Sequence, residues 1–322
     1  MNYVGIDISK SSFDVAIEKD NRYHYYKFSN DKAGFKELLK AINVTDPWCV
    51  MEASGPYYLR LAWYLREQGI DVSVVNPLVI RRFCQMRLIR AKTDKKDAAM
   101  IAEYGKTERP KAWKEEDAYV MELKQMQAYV DILEKTRTGL INQLEAFDQS
   151  PISSVTVRKG LVKMIGQAEK QMKETEKQMD AIVTKYHGEM MAQVKSVPGI
   201  GKKTGLLLVV VSGGFTKFEN AKQLSSYLGL SPRIFLSGTS VKGKARICKM
   251  GMSRVRAMLY VCSWSAIKCN KACKELYQRL VAKGKSKRLA LIAVANKLLK
   301  QVFAVATKGI LYDENYLQKT CF

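Results

Sequence analysis

Val4-Gly5-Ile6-Asp7-Ile8-Ser9 is the stretch that decides the predicted fold. Its apolar residues predict a buried strand close to the N-terminus, and this strand ends by presenting the carboxylate of Asp7. Apolar runs separated by turn and cap residues predict the next elements in order: strands at 13–17 and 23–28 around the turn Asp20-Asn21, a helix after Asn30-Asp31, a strand at 48–51, a helix at 57–68 and a strand at 72–75.

This order of three strands, helix, strand, helix and strand is that of the ribonuclease-H-like fold. We therefore predict an α/β domain with a mixed sheet, followed by a mostly helical part of the chain. Gly5-Ile6-Asp7 would also suit an actin-like ATPase or a sugar kinase. Those enzymes need further glycine-rich phosphate loops in the second half of the chain, and none is evident there, so this alternative is disfavoured.

The charge of the chain predicts a polyanionic partner. Its 322 residues include 54 Lys and Arg against 31 Asp and Glu, which gives a net charge of +23. Nucleic acid is the first candidate, because releasing counterions from phosphates rewards many dispersed basic side chains. A membrane surface is a weaker candidate, since the longest apolar run, Leu206–Val211, is far shorter than the roughly 20 residues of a span. No signal peptide is evident, so an intracellular protein is expected.

Cysteine and histidine usage limits the chemistry. The seven cysteines form no CxxC pair, which favours buried or free thiols in a reducing compartment. Only His24 and His187 are present, which argues against a histidine-based zinc site and against a Ser-His-Asp triad. Catalysis would therefore depend on carboxylates, a metal, hydroxyls and basic residues.

Four acidic residues are candidates for a metal site. Asp7 and Glu52 each follow a core strand, and Asp94 and Asp97 are spaced to share one face of a helix. Clustered carboxylates repel one another unless a divalent cation binds their oxygens, and such a set suits Mg²⁺ or Mn²⁺. The alternative is that these acids are turn or cap residues, with Asp94 capping the helix that Asp97 continues.

Basic residues form two candidate nucleic-acid surfaces. The first precedes and enters the helix of Asp94 and comprises Arg81, Arg82, Arg87, Arg90 and Lys92. The second lies in the last third, where the glycine turn 197–204 has the pattern of a helix-hairpin-helix with Lys202 and Lys203. The loop 231–249 that follows carries Ser237 and Ser240 among Lys242, Lys244, Arg246 and Lys249. This segment is interpreted either as an anion-binding site or as a flexible basic loop, and the residues alone do not decide between the two.

The middle of the chain predicts two long helices. The first continues from after Pro110 towards Phe147 and is expected to pack on the sheet. In the second, apolar residues between Leu161 and Tyr186 alternate four and three apart, which predicts a coiled coil. An intramolecular hairpin would explain this seam, but a partner helix from another subunit is favoured. The predicted domains are 1–149, a metal domain; 150–190, a coiled coil; and 191–322, a domain with a serine.

Four segments together resemble the DEDD transposases of insertion sequences, in the group with a RuvC-like N-terminal domain, a coiled coil and a serine-bearing C-terminal transposase domain. They are Gly5–Lys10, Met51–Tyr57, Lys92–Ala98 and Ser237–Lys249. The resemblance implies that Asp7, Glu52, Asp94 and Asp97 bind the metal, Mg²⁺ or Mn²⁺, and that Ser237 rather than Ser240 is the nucleophile. Ser54 stands where the family commonly has Thr, and Cys248 where it has Ser; neither is expected to touch a catalytic group.

The resemblance also implies the partners and the reaction. Members recombine target and donor DNA through a serine-linked intermediate, guided by a structured non-coding bridge RNA, and assemble as homo-oligomers, here a dimer or a tetramer. No membrane partner is expected, and the compartment would be the cytoplasm of a bacterium or archaeon, in association with the nucleoid. A metal-dependent RuvC-like junction nuclease, in which Ser237 is structural, and a non-catalytic nucleic-acid-binding protein remain as alternatives.

Overall fold

The computed structural model describes residues 1–89, 93–233, 236–237, 241–242 and 246–315, and of the side chains from 234 to 246 nothing is said. The chain divides into two compact units, Met1–Glu115 and Glu116–Phe322. This division by compactness comes earlier than the predicted end of the metal domain at residue 149. The functional division into 1–149, 150–190 and 191–322 stays a prediction.

The first unit is built on a mixed five-stranded sheet. Its strands are β1 (Asn2–Ile8), β2 (Ser12–Lys19), β3 (Arg22–Ser29), β4 (Pro47–Glu52) and β5 (Asp71–Val75), in the order β3-β2-β1-β4-β5. β1, β2 and β3 form an antiparallel meander, while β4 pairs with β1 and β5 in parallel. This topology is compatible with the predicted ribonuclease-H-like fold, and each predicted strand is present with slightly longer ends.

Helices cover both faces of this sheet. They are α1 (Lys32–Ala41), α2 (Leu59–Glu67), α3 (Pro77–Met86) and α4 (Asp94–Glu108). Val4, Ile6 and Ile8 of β1 are buried in the same core as residues of α1 and α2. On the opposite face, Val50 and Val75 pack with Ile80 of α3 and Ile101 of α4. Burial on both faces explains why β1 is an apolar run rather than an alternating one.

The turn and the helix cap that were predicted from neighbouring residues are present in the first unit. Asp20 and Asn21 adopt positive φ angles of 53° and 58°, the conformation that a tight hairpin needs. The side chain of Asp31 accepts hydrogen bonds from the backbone N–H groups of Ala33 and Gly34 at the start of α1. Both features were readable from the sequence because they depend only on neighbouring residues.

The second unit is mainly helical. Its helices are α5 (Ala118–Asp148), α6 (Val155–Ser196), α7 (Lys202–Ser212), α8 (Ala221–Tyr227), α9 (Ser253–Cys269), α10 (Lys271–Ala282) and α11 (Lys287–Lys308). Four two-residue strands lie between α8 and α9: β6 (Pro232–Arg233), β7 (Leu236–Ser237), β8 (Val241–Lys242) and β9 (Arg246–Ile247). β6 pairs with β9, and β7 pairs with β8, both antiparallel.

The two long helices form an intramolecular hairpin. α5 was expected to pack on the sheet, but it belongs to the second unit, where Leu123 and Val130 share a core with Met179 and Val183 of α6. The hydroxyl of Tyr129 donates a hydrogen bond of 2.8 Å to Gln171 across the hairpin. The structure therefore shows the intramolecular hairpin, which was the less favoured of the two predictions for this seam. A helix from a second subunit stays a prediction.

Helix α11 is apolar because it forms the core of the second unit. Its 22 residues, with a mean hydropathy of 1.6 in the most apolar window, are long and apolar enough to cross a membrane. No uninterrupted apolar run of spanning length marks this helix in the sequence, because Lys297 and Lys300 divide its apolar residues. Ten residues of α11, from Ala290 to Ala306, are buried in the protein. Packing against α9 and α10 thus accounts for its composition.

Candidate active site

Asp7 lies at the C-terminal end of β1 and is surrounded by other carboxylates. Burial, as the largest cause, and the negative charges of Glu52, Asp97, Asp94 and Asp14 together raise its pKa from 3.8 to about 6. The four acids selected from the sequence therefore lie within electrostatic range of one another. A carboxyl group with this environment binds a proton or a cation more readily than an isolated one.

The approach of α4 to β1 places Asp94 and Asp97 beside Asp7. A Cβ atom at Gly5 would overlap the carbonyl oxygen of Ala98 and lie 2.9 Å from the Cβ atom of Ala102. Gly5 and Asp7 are two residues apart on a strand, so they face the same side of the sheet. Because α4 lies directly on this side, its first turn, which contains both acids, comes next to Asp7.

The first turn of α4 is capped by Thr93. Its hydroxyl accepts a hydrogen bond of 3.3 Å from the backbone N–H of Lys96. Asp94 is the first residue of the helix rather than its cap, and its side chain is 71% exposed. The interpretation of Asp94 as a helix cap is therefore wrong, although acids in a first turn also favour the helix dipole.

Glu52 reaches the same edge from the neighbouring strand. β1 and β4 are parallel, and Ile6 is paired with Met51, so Asp7 and Glu52 follow equivalent positions of adjacent strands. The hydroxyl of Ser54 donates a hydrogen bond of 3.2 Å to Glu52 Oε1. The expectation that Ser54 touches no candidate catalytic group is therefore wrong. Serine keeps the hydroxyl that threonine would supply at this position.

Two further charged residues of this site were missed from the sequence. Asp14 of β2 is paired directly with Asp7, and Lys27 of β3 is paired with Asp14. Lys27 Nζ lies 3.2 Å from Asp14 Oδ2 and 3.9 Å from Asp94 Oδ2. The ammonium group thus offsets part of the negative charge around Asp7. Counting residues outward from the turn at Asp20-Asn21 places Asp14 opposite Lys27, so this pair could have been predicted from the sequence.

The acids match a divalent metal in chemistry but not yet in coordination geometry. Carboxylate oxygens are the ligands that Mg²⁺ and Mn²⁺ prefer, and the raised pKa of Asp7 reflects their mutual repulsion. Within the described part of the chain, however, no three Asp, Glu, His or Cys side chains are grouped so that they could hold one ion. The structure brings the acids together electrostatically and does not bring them into a coordination shell.

Between residues 234 and 246 of the serine loop, only the backbone of 236–237, 241–242 and 246 belongs to the described residues. Ser237 lies on β7 and is paired with Val241 of β8 in a short hairpin. Ser240 and Lys244 lie outside the described residues, and the side chains of Lys242 and Arg246 are not described. Lys249, at the end of the loop, is exposed and adopts a positive φ of 58°. The assignment of the nucleophile therefore stays a prediction.

The predicted phosphate-binding cations differ in their availability. Arg81 and Arg82 are exposed on α3. The guanidinium of Arg87, in contrast, has its Nη2 atom 3.4 Å from Glu103 Oε1 and its Cζ atom 5.3 Å from the centroid of the Phe83 ring. Arg90 and Lys92 lie outside the described residues. An exposed arginine without a neighbouring carboxylate is the better candidate for a phosphate, since a pairing acid would have to be displaced.

The glycine turn of the second unit is packed and its lysines are paired. Gly199, with φ of 101°, lies against Ala266 of α9, where a Cβ atom would come within 2.7 Å of the Ala266 Cβ. Lys202 Nζ lies 2.8 Å from Asp180, and Lys203 Nζ lies 2.7 Å from Glu176, both on α6. A tight turn between α6 and α7 is confirmed, and its role as a helix-hairpin-helix stays a prediction.

Comparisons with known proteins match almost the whole chain. The profile of a DEDD transposase family of the IS110 type matches residues 4–147, and that of the Transposase IS116/IS110/IS902 family matches residues 191–278. A pilin gene-inverting protein of Moraxella lacunata is 31% identical over 97% of this chain and 98% of its own length. The transposase for insertion sequence element IS1111A of Coxiella burnetii is 22% identical over 96% of this chain and 90% of its own length.

Proposed function

The chain belongs to the IS110 family of DEDD transposases and site-specific recombinases, and from this premise we propose how it acts on DNA. It cuts and rejoins the strands of an insertion sequence through a covalent linkage to Ser237, with divalent metal assistance. The observation that carries the proposal is the convergence of acids from β1, β4 and α4 around Asp7, which raises the pKa of that carboxyl to about 6.

Asp7, Glu52, Asp94 and Asp97 are the residues that would hold Mg²⁺ or Mn²⁺. When bound, such an ion supplies Lewis-acid stabilisation of oxygens at the reacting phosphate. The protein contributes the arrangement: Gly5 sets the distance of α4 from β1, and Ser54 orients the Glu52 carboxylate by a hydrogen bond. Lys27 neutralises part of the acidic cluster through its contacts with Asp14 and Asp94.

Ser237 is the proposed nucleophile. Its Oγ attacks a DNA phosphorus and forms an O–P bond, while the bond to the leaving DNA oxygen breaks and that oxygen takes up a proton. A DNA hydroxyl later attacks the phosphoserine and releases the serine. Gly238 follows directly in the sequence, and the absence of a side chain there allows a phosphate to approach. Lys242, Lys244 and Arg246 supply positive charge for the phosphate in the same loop.

A bridge RNA, target DNA and donor DNA are the proposed partners, and a dimer or tetramer is the proposed assembly. The net charge of +23 supports nucleic-acid partners, because it greatly exceeds what a small-molecule enzyme requires. Base pairing by the RNA would supply sequence specificity, while the protein contacts backbone and shape. The proposed compartment is the cytoplasm of a bacterium or archaeon, with the protein on the nucleoid and not in a membrane.

Trapping the covalent intermediate tests this function. Full-length protein, purified with the RNA that it retains, is incubated with labelled DNA from the ends of its native element and Mg²⁺, and adducts are separated under denaturing conditions. The wild type and Ser240→Ala are expected to form the adduct, and Ser237→Ala and Asp7→Asn are expected to lose it.

A junction nuclease would give another result. It would cut DNA without an adduct and would tolerate Ser237→Ala, which contradicts the proposed linkage. Adduct formation by Ser237→Ala but not by Ser240→Ala would move the nucleophile to Ser240.

A separate experiment tests the guide RNA. The RNA that the purified protein retains is sequenced, and recombination of plasmids that match it is then measured.

A further inference from the structure

The segment that ends α3 presents an exposed leucine in a strained conformation. Leu88 has a φ of 54°, and its side chain is 83% exposed. Met86, two residues earlier, is 65% exposed. Positive φ is uncommon for a residue as bulky as leucine, because its Cβ atom crowds the backbone. The conformation and the exposure of Leu88 both require an explanation.

The hydrogen bonds at this helix end show which residue the fold alone would prefer. The backbone N–H of Leu88 donates to the carbonyl oxygen of Gln85, and that of Ile89 donates to Cys84, each at 3.1 Å. This pair of bonds forms a Schellman motif, whose left-handed position is usually glycine. A leucine there costs about 1 kcal/mol of conformational energy. Because its side chain is 83% exposed, the hydrophobic effect contributes almost no stability to offset this cost.

Two exposed cationic side chains lie on the same helix as this apolar end. Arg81 and Arg82 are exposed on α3, and Ile80 and Phe83, on the opposite side of the helix, are buried against the sheet unit. The guanidinium of Arg82 donates a 2.9 Å hydrogen bond to Gln85. Among the described side chains, no carboxylate forms an ion pair with either arginine. The end of α3 is therefore apolar at Met86 and Leu88, with Arg81 and Arg82 exposed earlier on the same helix and Arg87 paired with Glu103.

We propose that Met86 and Leu88 form an apolar wedge that enters a base step of double-stranded DNA, while Arg81 and Arg82 contact the flanking phosphates. Leucine and methionine wedges that partly unstack a base step need neighbouring cations to hold the backbone, and this surface supplies both. The inference rests on the proposed function, since it assigns the wedge to the same DNA that Ser237 and the acidic site are proposed to cut. It goes further by naming how the duplex is deformed.

The position of the wedge in the chain suits that role. Leu88 precedes Asp94 by six residues, and an extended chain of that length spans at most about 20 Å. At about 3.4 Å per base pair, the wedge acts within about six base pairs of the candidate metal site. Unstacking at this distance would loosen the duplex close to the phosphodiester that reacts.

A DNA-unwinding assay tests the wedge. Full-length protein, as purified, is added to relaxed closed-circular plasmid of unrelated sequence with a topoisomerase, and the linking number is measured after protein removal. The wild type is expected to shift the linking number, because a base step that is unstacked is also untwisted. Leu88→Gly is expected to lose the shift while it keeps binding the plasmid in a gel-shift assay. Its melting temperature should equal or exceed that of the wild type, since glycine fits the positive φ.

A matched control and the contrary outcomes are available. Leu311 is 63% exposed in the second unit, so Leu311→Ala removes similar apolar surface and should leave the unwinding unchanged. Unwinding by Leu88→Gly equal to that of the wild type would overturn the wedge. So would plasmid binding by the wild type without unwinding, or a loss of oligomer in Leu88→Gly with normal unwinding, which would assign the surface to a second copy. Failure of the wild type to bind any plasmid would instead contradict the proposed function.

Discussion

Gly5 and Ala98 are in direct backbone contact: a Cβ atom at Gly5 would overlap the carbonyl oxygen of Ala98. This contact lets α4 lie on β1 without an intervening side chain. It therefore decides where the first turn of α4, with Asp94 and Asp97, stands relative to Asp7. The acidic site depends on a residue that carries no functional group.

Gly5→Ala is expected to destabilise the protein and to abolish strand transfer. The added methyl group must push α4 away from β1, and such overpacking costs about 1–3 kcal/mol or more. Denaturant unfolding of the full chain measures the loss. Gly139→Ala is the control: among the described residues, no atom beyond its chain neighbours and the nearby helix backbone lies within 4 Å of a Cβ there. Replacing a glycine inside a helix should stabilise the protein by about 0.5–1 kcal/mol. Equal stability of Gly5→Ala and wild type would show that the contact does not position α4.

Asp7→Asn is expected to stabilise the metal-free protein at neutral pH. The folded-state pKa of Asp7, about 6, lies above its ordinary value of 3.8, so the folded state binds the proton more tightly. Stability from this group is therefore present below pH 4 and is lost as the pH rises from about 4 to 6. The loss is at most about 3 kcal/mol, and screening at a partly exposed carboxyl reduces it to about 1–2 kcal/mol.

Thermal unfolding in chelator between pH 4 and pH 8 measures this effect. The melting temperatures of wild type and Asp7→Asn should converge at low pH and separate above pH 6, with the variant higher. Glu67→Gln removes one negative charge from an exposed position and should not reproduce the difference. A lower melting temperature for Asp7→Asn at pH 8 would argue against repulsion among the acids.

Mg²⁺ or Mn²⁺ is expected to raise the melting temperature of the wild type and not that of Asp7→Asn. A ligand that binds only the folded state stabilises it by mass action, and the pKa of Asp7 is raised by the charges of all three other candidate ligands. A thermal titration with each ion, and with Ca²⁺ for comparison, measures the effect. Equal shifts in both proteins would place the ion elsewhere.

Lys27→Met is expected to tighten Mn²⁺ binding. The ammonium of Lys27 lies 3.9 Å from Asp94 Oδ2 and 3.2 Å from Asp14 Oδ2, so it competes with a metal for the same negative charge. Because the Lys27 side chain is 59% exposed and that of Asp94 is 71% exposed, the gain should be only about two- to fivefold. Calorimetric titration compares wild type, Lys27→Met and Lys36→Met, whose lysine is exposed on α1. Weaker binding in Lys27→Met would mean that the lysine organises the site instead.

Removing the acids that pair with the glycine-turn lysines is expected to strengthen DNA binding. Asp180 and Glu176 hold Lys202 and Lys203 at 2.8 and 2.7 Å. In Glu176→Gln/Asp180→Asn the lysines are free for phosphates, so the salt dependence of affinity should become steeper by about one to two charges. Fluorescence anisotropy with a duplex at several salt concentrations measures the slope. An unchanged slope would exclude this turn from the DNA interface, and Lys202→Gln/Lys203→Gln would then bind like the wild type.

Much of the first unit followed from local signals. The turn at Asp20-Asn21, the cap at Asp31 and the strand of Asp7 each depend on neighbouring residues, and each is present. The errors arose where a choice between partners had to be made. Val120, Leu123 and Val130 lie on one apolar face of α5. The pattern of this face does not predict whether a sheet or another helix covers it, and in the structure α6 covers it.

The site shows the same distinction. Amino-acid types identified Asp7, Glu52, Asp94 and Asp97 because each stands next to a recognisable strand or helix start. Asp14 and Lys27 were missed, although the hairpin register pairs them with Asp7 and with each other. The hydrogen bond from Ser54 to Glu52 was missed because it depends on the side-chain conformations at the end of β4.

The sequence by itself determined the strands, their turns and the acid types, because hydrophobic periodicity and backbone preferences act over a few residues. Only the tertiary structure decided that α4 lies on Gly5, that Lys27 reaches Asp94 and that α5 pairs with α6. These outcomes depend on close packing between segments far apart in the chain. Such packing is decided by the fit of whole surfaces rather than by the pattern of any one segment.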